Sequence, residues 1–180
     1  MLTAVVIVLA VLAVLLVVVA SRPADFRIAR ESAAIAAPPE VVFAQLNDFH
    51  RWSKWSPWEK LDPAMKKTFS GADAGAGAVY AWDGNKQAGA GRMTLTDSKP
   101  AERIAIKLEF FKPFAAQNDT EFLLEKAPAG VQVKWAMSGQ RNFGMKAASL
   151  FMDLDKLVGG DFERGLAELK RVSEEEAARA

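Results

Sequence analysis

The stretch Arg103-Ile104-Ala105-Ile106-Lys107-Leu108-Glu109-Phe110 alternates in side-chain character with a period of two. In an extended chain that period puts Ile104, Ile106, Leu108 and Phe110 on one face, with Lys107 and Glu109 on the other. The same parity recurs downstream. Thr120, Phe122 and Leu124 oppose Glu121 and Glu125, and Val131, Val133, Trp135 and Met137 oppose Gln132 and Lys134. Upstream, Met93 and Leu95 oppose Arg92, Thr94 and Thr96. One face of a sheet is therefore to be buried and the other wetted, which is the pattern of an antiparallel sheet covered on one side.

Working outward, the texture is β from Met65 to Gly139. Strands are expected at 66–70, 78–83, 89–97, 103–111, 118–125 and 131–139. The intervening segments carry turn residues: Gly71 to Gly77, Asp83-Gly84-Asn85, Ser98-Lys99-Pro100, Lys112-Pro113 and Pro128-Ala129-Gly130. Loops of hairpin length between consecutive strands indicate an antiparallel meander.

On the C-terminal side, about 145–177 reads as one helix with a soft spot at Gly159-Gly160. Phe162, Leu166, Leu169 and Val172 share a face opposite mostly charged residues. On the N-terminal side, a first strand is expected over 25–36, and Pro38-Pro39-Glu40 opens a helix, because proline is tolerated in a first turn and an acid suits its positive end. Between that helix and the meander lies Arg51-Trp52-Ser53-Lys54-Trp55-Ser56-Pro57-Trp58, a short helical or irregular plug. Its tryptophans suit either a lid over a cavity or closure of one end of the core with N–H groups on nearby carbonyls, and the structural use is preferred.

The first twenty residues stand apart. All but Thr3 are hydrophobic and none is charged, in a chain of 180 residues that is 51% hydrophobic, 25% charged and of net charge +1. As a helix this segment would span about 30 Å, the thickness of a bilayer's hydrocarbon core. A single-pass anchor is preferred to a cleaved signal peptide, since no Lys or Arg precedes the apolar run and the run exceeds a usual signal core. Arg22, Arg27 and Arg30 follow it, a weak indication of sidedness. The expected division is an anchor over 1–21, one ligand-binding domain over 22–175 and a tail over 176–180. There is no basic block of the kind that marks nucleic-acid binding. With no cysteine and one histidine, His50, neither thiol chemistry nor a zinc site of the usual ligands is expected, and no cofactor is called for.

Asp25-Phe26-Arg27-Ile28, Ala37-Pro38-Pro39-Glu40-Val41-Val42-Phe43, the tryptophan plug, Tyr80-Ala81-Trp82-Asp83-Gly84-Asn85, Gly89-Ala90-Gly91-Arg92-Met93 and Asp161-Phe162-Glu163-Arg164-Gly165-Leu166 resemble the SRPBCC superfamily. That superfamily includes START domains, and the likeness is greatest to its polyketide cyclase/dehydrase-like bacterial members. The resemblance implies an α+β helix-grip (START-like) fold, a curved antiparallel sheet around a long C-terminal helix, here preceded by one transmembrane helix. It also implies an apolar cavity between sheet and helix. Combined with strand parity, the cavity candidates are Trp55, Trp58, Tyr80, Trp82, Met93, Leu108, Phe110, Phe122, Leu124, Trp135 and Met137.

Three functions fit these expectations: a membrane-tethered module binding a hydrophobic small molecule or lipid, a cyclase/dehydrase-like enzyme on a hydrophobic substrate, or a protein-interaction module like the chaperone activators of this fold. The first is preferred. An enzyme would need a polar group inside the cavity, for which Asn118, Asp119, Arg92 and Tyr80 are the inward candidates, but no catalytic residue is assigned. His50 reads as a capping or surface residue, and Asp48, Glu59 and Asp62 as surface charges beside Lys54 and Lys60. The glycines of 71–77 and 89–91 are strand connections and not phosphate loops, since no Lys-Ser/Thr and no helix follows. Oligomeric state is not legible.

Overall fold

A computed structural model describes residues 1–179. Helix α1 (Leu2–Ser21) is followed by β1 (Asp25–Glu31), α2 (Pro39–Asn47) and two 3₁₀ turns, Phe49–Lys54 and Pro57–Lys60. The meander comprises β2 (Lys66–Gly71), β3 (Ala78–Asp83), β4 (Ala90–Lys99), β5 (Arg103–Lys112), β6 (Ala116–Ala127) and β7 (Gly130–Gln140), and α3 (Phe143–Ala148) and α4 (Leu154–Ala177) close the chain. All strands form one antiparallel sheet in the order β1-β7-β6-β5-β4-β3-β2. This is the expected α+β helix-grip architecture.

Parity holds where the sheet is gripped. Ile104, Ile106, Leu95, Phe122, Val131, Val133 and Trp135 are all buried. A register shift between Leu95 and Asp97 leaves Thr96 without a ladder partner, the kind of bulge that bends a strand and sharpens its twist. From the other side, α4 contributes Phe162, Leu166, Leu169 and Val172, each worth about 1.5–3 kcal/mol when fully removed from water. The helix comes close to the sheet because residue 165 is glycine: a Cβ there would sit 2.8 Å from the Trp135 ring and 3.1 Å from Pro57.

Two expectations are corrected. The single helix over 145–177 is two, with the break at 149–153 and not at Gly159-Gly160. Asp153 starts α4 as its N-cap, accepting the Lys156 N–H at 3.1 Å, and Asn142 caps α3 in the same way. Gly159 stays helical inside α4, where the Arg30 guanidinium occupies the space of a Cβ. The first strand stops at Glu31, and Ile35 makes a separate bridge to Val131.

Polar ties hold α4 at both ends. Arg30 of β1 donates to Glu163 at 2.7 Å and to Asp155 at 2.9 Å, and holds the Asp155 carboxyl below its ordinary range. Toward the other end, Glu176 accepts from Gln45 at 2.7 Å and from Arg51 at 2.9 Å, while Lys170 reaches the Ala34 carbonyl at 2.7 Å. Helix α1 is almost wholly exposed, with only Val19 buried, and α3 lies against it.

Candidate functional site

The plug is built by α2 and the two 3₁₀ turns. Asp48 caps the first turn by accepting the His50 N–H, and Pro57 pre-sets the backbone of the second. Trp52 and Trp55 then point inward and donate to the Leu46 and Gln45 carbonyls, each at 3.1 Å. Around them lies an aromatic cluster: Phe122 and Trp135 are 4.8 Å apart, Trp58 stands edge-on to Trp135 at 5.5 Å, and Phe162 stacks on Trp135 at 4.2 Å.

Beside this cluster, between sheet and α4, is a partly open pocket of about 180 Å³. Met93, Leu108 and Phe110 of the sheet line it together with Trp82, Ala88, Met137 and Val158, and Trp58, Trp135 and Phe162 of the aromatic cluster form part of the same wall. Trp52, Ser56, Glu59, Met65, Tyr80 and Thr120 complete it. Of the eleven residues expected at a cavity, Trp58, Tyr80, Trp82, Met93, Leu108, Phe110, Trp135 and Met137 lie on this wall. Trp55, Phe122 and Leu124 share their face of the structure but sit behind the lining, in closed core.

The polar groups are few. Tyr80, buried on β3, donates to a Glu59 oxygen at 2.6 Å, and Lys67 of β2 pairs with the other oxygen. The Glu59 side chain is only 8% exposed, so the surface role expected for it beside Lys54 and Lys60 is corrected. The turn that begins at Pro57 aims Glu59 inward, and its partners arrive from strands that follow in sequence. Burial first, and then the Glu59 carboxylate, push the Tyr80 phenol well above its ordinary value. Its proton is thus committed to Glu59, which makes Tyr80 an orienting and buttressing group and a poor acid. Among the described residues, the Thr120 hydroxyl and the Trp135 indole N–H are buried without a hydrogen-bond partner.

The other polar candidates divide by parity. Asn118 is buried, with its amide on the Met137 sulfur at 3.7 Å. Asp119 and Arg92 are exposed on the outer face, Asp119 beside Arg27 and Arg103 in a polar hollow and Arg92 bonded to Glu109 at 2.7 Å; both are corrected as inward groups. His50 is on the surface, with Nδ1 2.8 Å from Asp48 and its ring stacked on Phe69. Val158 was not anticipated, although its spacing of four from Phe162 carries the helical signal for it.

The fold is shared with solved proteins of low sequence identity. An uncharacterised protein from Rhizobium leguminosarum aligns at 15% identity over 84% of this chain and 95% of its own, with a TM-score of 0.60. The Aha1 dimer from Colwellia psychrerythraea aligns at 16% identity over 83% and 96%, with a TM-score of 0.58. The di-domain ARO/CYC protein StfQ of the steffimycin biosynthetic pathway aligns at 10% identity and a TM-score of 0.63 over 87% of this chain but 53% of its own. No curated protein matches the chain in sequence. Residues 27–174, from β1 through most of α4, match the family model for polyketide cyclase/dehydrase and lipid transport proteins, and the chain belongs to that family.

Proposed function

We propose that the protein is a membrane-tethered module that holds a hydrophobic small molecule or lipid in the pocket between the sheet and α4. The observation that carries the reading is the pocket wall: Met, Leu and aromatic side chains surround an interior opening, and the one carboxylate on it is already occupied by Tyr80 and Lys67. Such a wall favours apolar matter, at about 0.8 kcal/mol for each methylene removed from water. The volume of about 180 Å³ is below the ~300–1,000 Å³ of pockets for drug-sized ligands, so a long chain or fused ring system enters by displacing unbranched wall side chains such as Met93. The family description supports the same class of ligand. In this reading 22–175 binds and 1–21 tethers, while Glu176 and Ala177 complete α4. Helix α1 is long and apolar enough to cross a membrane.

The test is solvent extraction of the full purified chain followed by mass spectrometry, beside Val158→Trp and Met93→Trp, which fill the pocket. Lipid adhering to α1 accompanies all three. A hydrophobic compound recovered in near-stoichiometric amount from the parent chain and depleted from both variants supports the reading. Equal recovery from all three overturns it.

A further inference from the structure

Strand register gathers several features at one end of the sheet. Asp25, the first residue of β1, faces Gln140 at the end of β7, and Phe110 near the end of β5 faces Ala116 at the start of β6. Ala90, which opens β4, is paired with Asp83 and Lys112. The exit from α1, the β3–β4 and β5–β6 turns and the connection from β7 to α3 therefore share this end. The pocket is displaced toward it as well. Trp82, Ala88, Phe110 and Met137 come from the strand ends and turn on this side, whereas Ile104, Leu124 and Val131 near the opposite end are closed core.

The surface here is unlike the rest. Of the eight large apolar side chains exposed after α1 among the described residues, Phe111, Phe114, Phe143, Phe151, Met152 and Leu157 belong to the end of β5, the β5–β6 turn and the segment from α3 into α4. In the segments at this end Arg22, Lys86, Lys146 and Lys156 have no ion-pair partner among the described residues, and these four cations outnumber the similarly unpaired Asp25 and Asp153. Aromatic and basic residues together are the composition that suits a membrane–water interface. Only residues 22–24 separate α1 from β1. That link reaches roughly 10–14 Å at most, at ~3.3–3.6 Å per residue, about twice the ~5–8 Å headgroup layer on one side of a bilayer.

We propose that this end of the domain rests on the anionic bilayer that α1 enters, with Phe114 and Phe151 in the headgroup–acyl boundary and the pocket's open side facing lipid. The inference depends on the tether reading above. With α1 in the membrane, the short link keeps this end close to the bilayer surface, the apolar and basic residues seat it there, and ligand passes between bilayer and pocket along an apolar surface without crossing water.

The chain holds no cysteine, so single substitutions carry a label without background. Full-length Phe114→Cys, Phe151→Cys and, at the opposite end in the β6–β7 turn, Ala129→Cys are each labelled with nitrobenzoxadiazole. They are reconstituted in vesicles of three parts phosphatidylcholine to one part phosphatidylglycerol, with and without nitroxide-labelled lipid. The expected result is blue-shifted emission at 114 and 151, quenched at least two-fold by the nitroxide lipid, with 129 unaffected. Labels at 114 and 151 that behave like 129 overturn the inference. Flotation of the same samples separates the two readings: a chain that fails to float removes the tether and this inference with it. A chain that floats with unresponsive labels removes this inference alone. Lys146→Glu combined with Lys156→Glu is expected to weaken quenching at 151 severalfold, and unchanged quenching overturns the anionic-headgroup contact.

Discussion

Phe162 of α4 lies flat on Trp135 of β7, ring centroids 4.2 Å apart and planes inclined by 6°. The pair joins helix to sheet at the pocket's edge, so one substitution tests both the fold and the cavity. Phe162→Ala is expected to lower stability by about 3–5 kcal/mol through lost burial and the void left behind. Urea denaturation followed by tryptophan emission measures it. Phe162→Leu, which refills most of the space, should recover more than half of the loss.

The Tyr80–Glu59 contact sets the polar side of the wall. Tyr80→Phe removes a hydrogen bond to a charged acceptor and leaves Glu59 to Lys67, at an expected cost of about 1.5–3 kcal/mol. Glu59→Ala should cost at least as much, since it strands the buried phenol. Chemical denaturation of the two single variants and the double variant gives the coupling directly: a double variant no worse than Glu59→Ala identifies the contact as one unit.

Gly91 gives Trp82 its place on the wall. A Cβ at position 91 would lie 2.5 Å from the Trp82 ring and 2.5 Å from the Glu109 carbonyl, so Gly91→Ala has to move the indole, which also donates to the Ala88 carbonyl at 3.0 Å. The expectation is a loss of about 1–3 kcal/mol from overpacking, together with a changed near-ultraviolet circular dichroism spectrum, while the far-ultraviolet spectrum stays as it was.

Acid should loosen the attachment of α4. Arg51 foremost, with help from Gln45, holds the Glu176 carboxyl below its ordinary range, and Lys170 and then the Ala36 N–H do so for Glu174. A carboxyl lowered in the folded state contributes stability that is present in full above its unfolded value, near about 4.3 for Glu, and is lost as pH falls through the folded value. Thermal midpoints are therefore expected to fall below about pH 4, with Glu176→Gln reducing the slope. Both carboxylates are partly exposed, so the effect should be modest and smaller in high salt.

The sheet was legible because period two is enforced residue by residue when one face is buried: Ile104, Ile106, Phe122 and Val133 could not be moved by one position without being exposed to water. The same rule should have separated Asn118 from Asp119, which cannot both point inward from one strand. Glu59 was not legible. Its direction depends on the turn set by Pro57 and on partners that arrive from β2 and β3, and no local periodicity carries that information. The break before α4 was written in Asp153 as a cap, but the adjacent pair Gly159-Gly160 is the louder local signal. Tertiary contact overrides that signal, because the space a side chain would fill at 159 is taken by Arg30.

The sheet is solid at one end and hollow at the other, and this asymmetry governs which residues are free to vary. Ile104, Ile106, Phe122, Leu169 and Ile35 are fully buried and take no part in the pocket wall. Met93, Leu108 and Phe110 on the pocket floor are only half-buried, so exchanging one apolar residue for another there removes little packing from the frame. Ligand preference and foldedness are consequently under separate control: the floor can be reshaped for a different guest while the far end keeps the molecule folded.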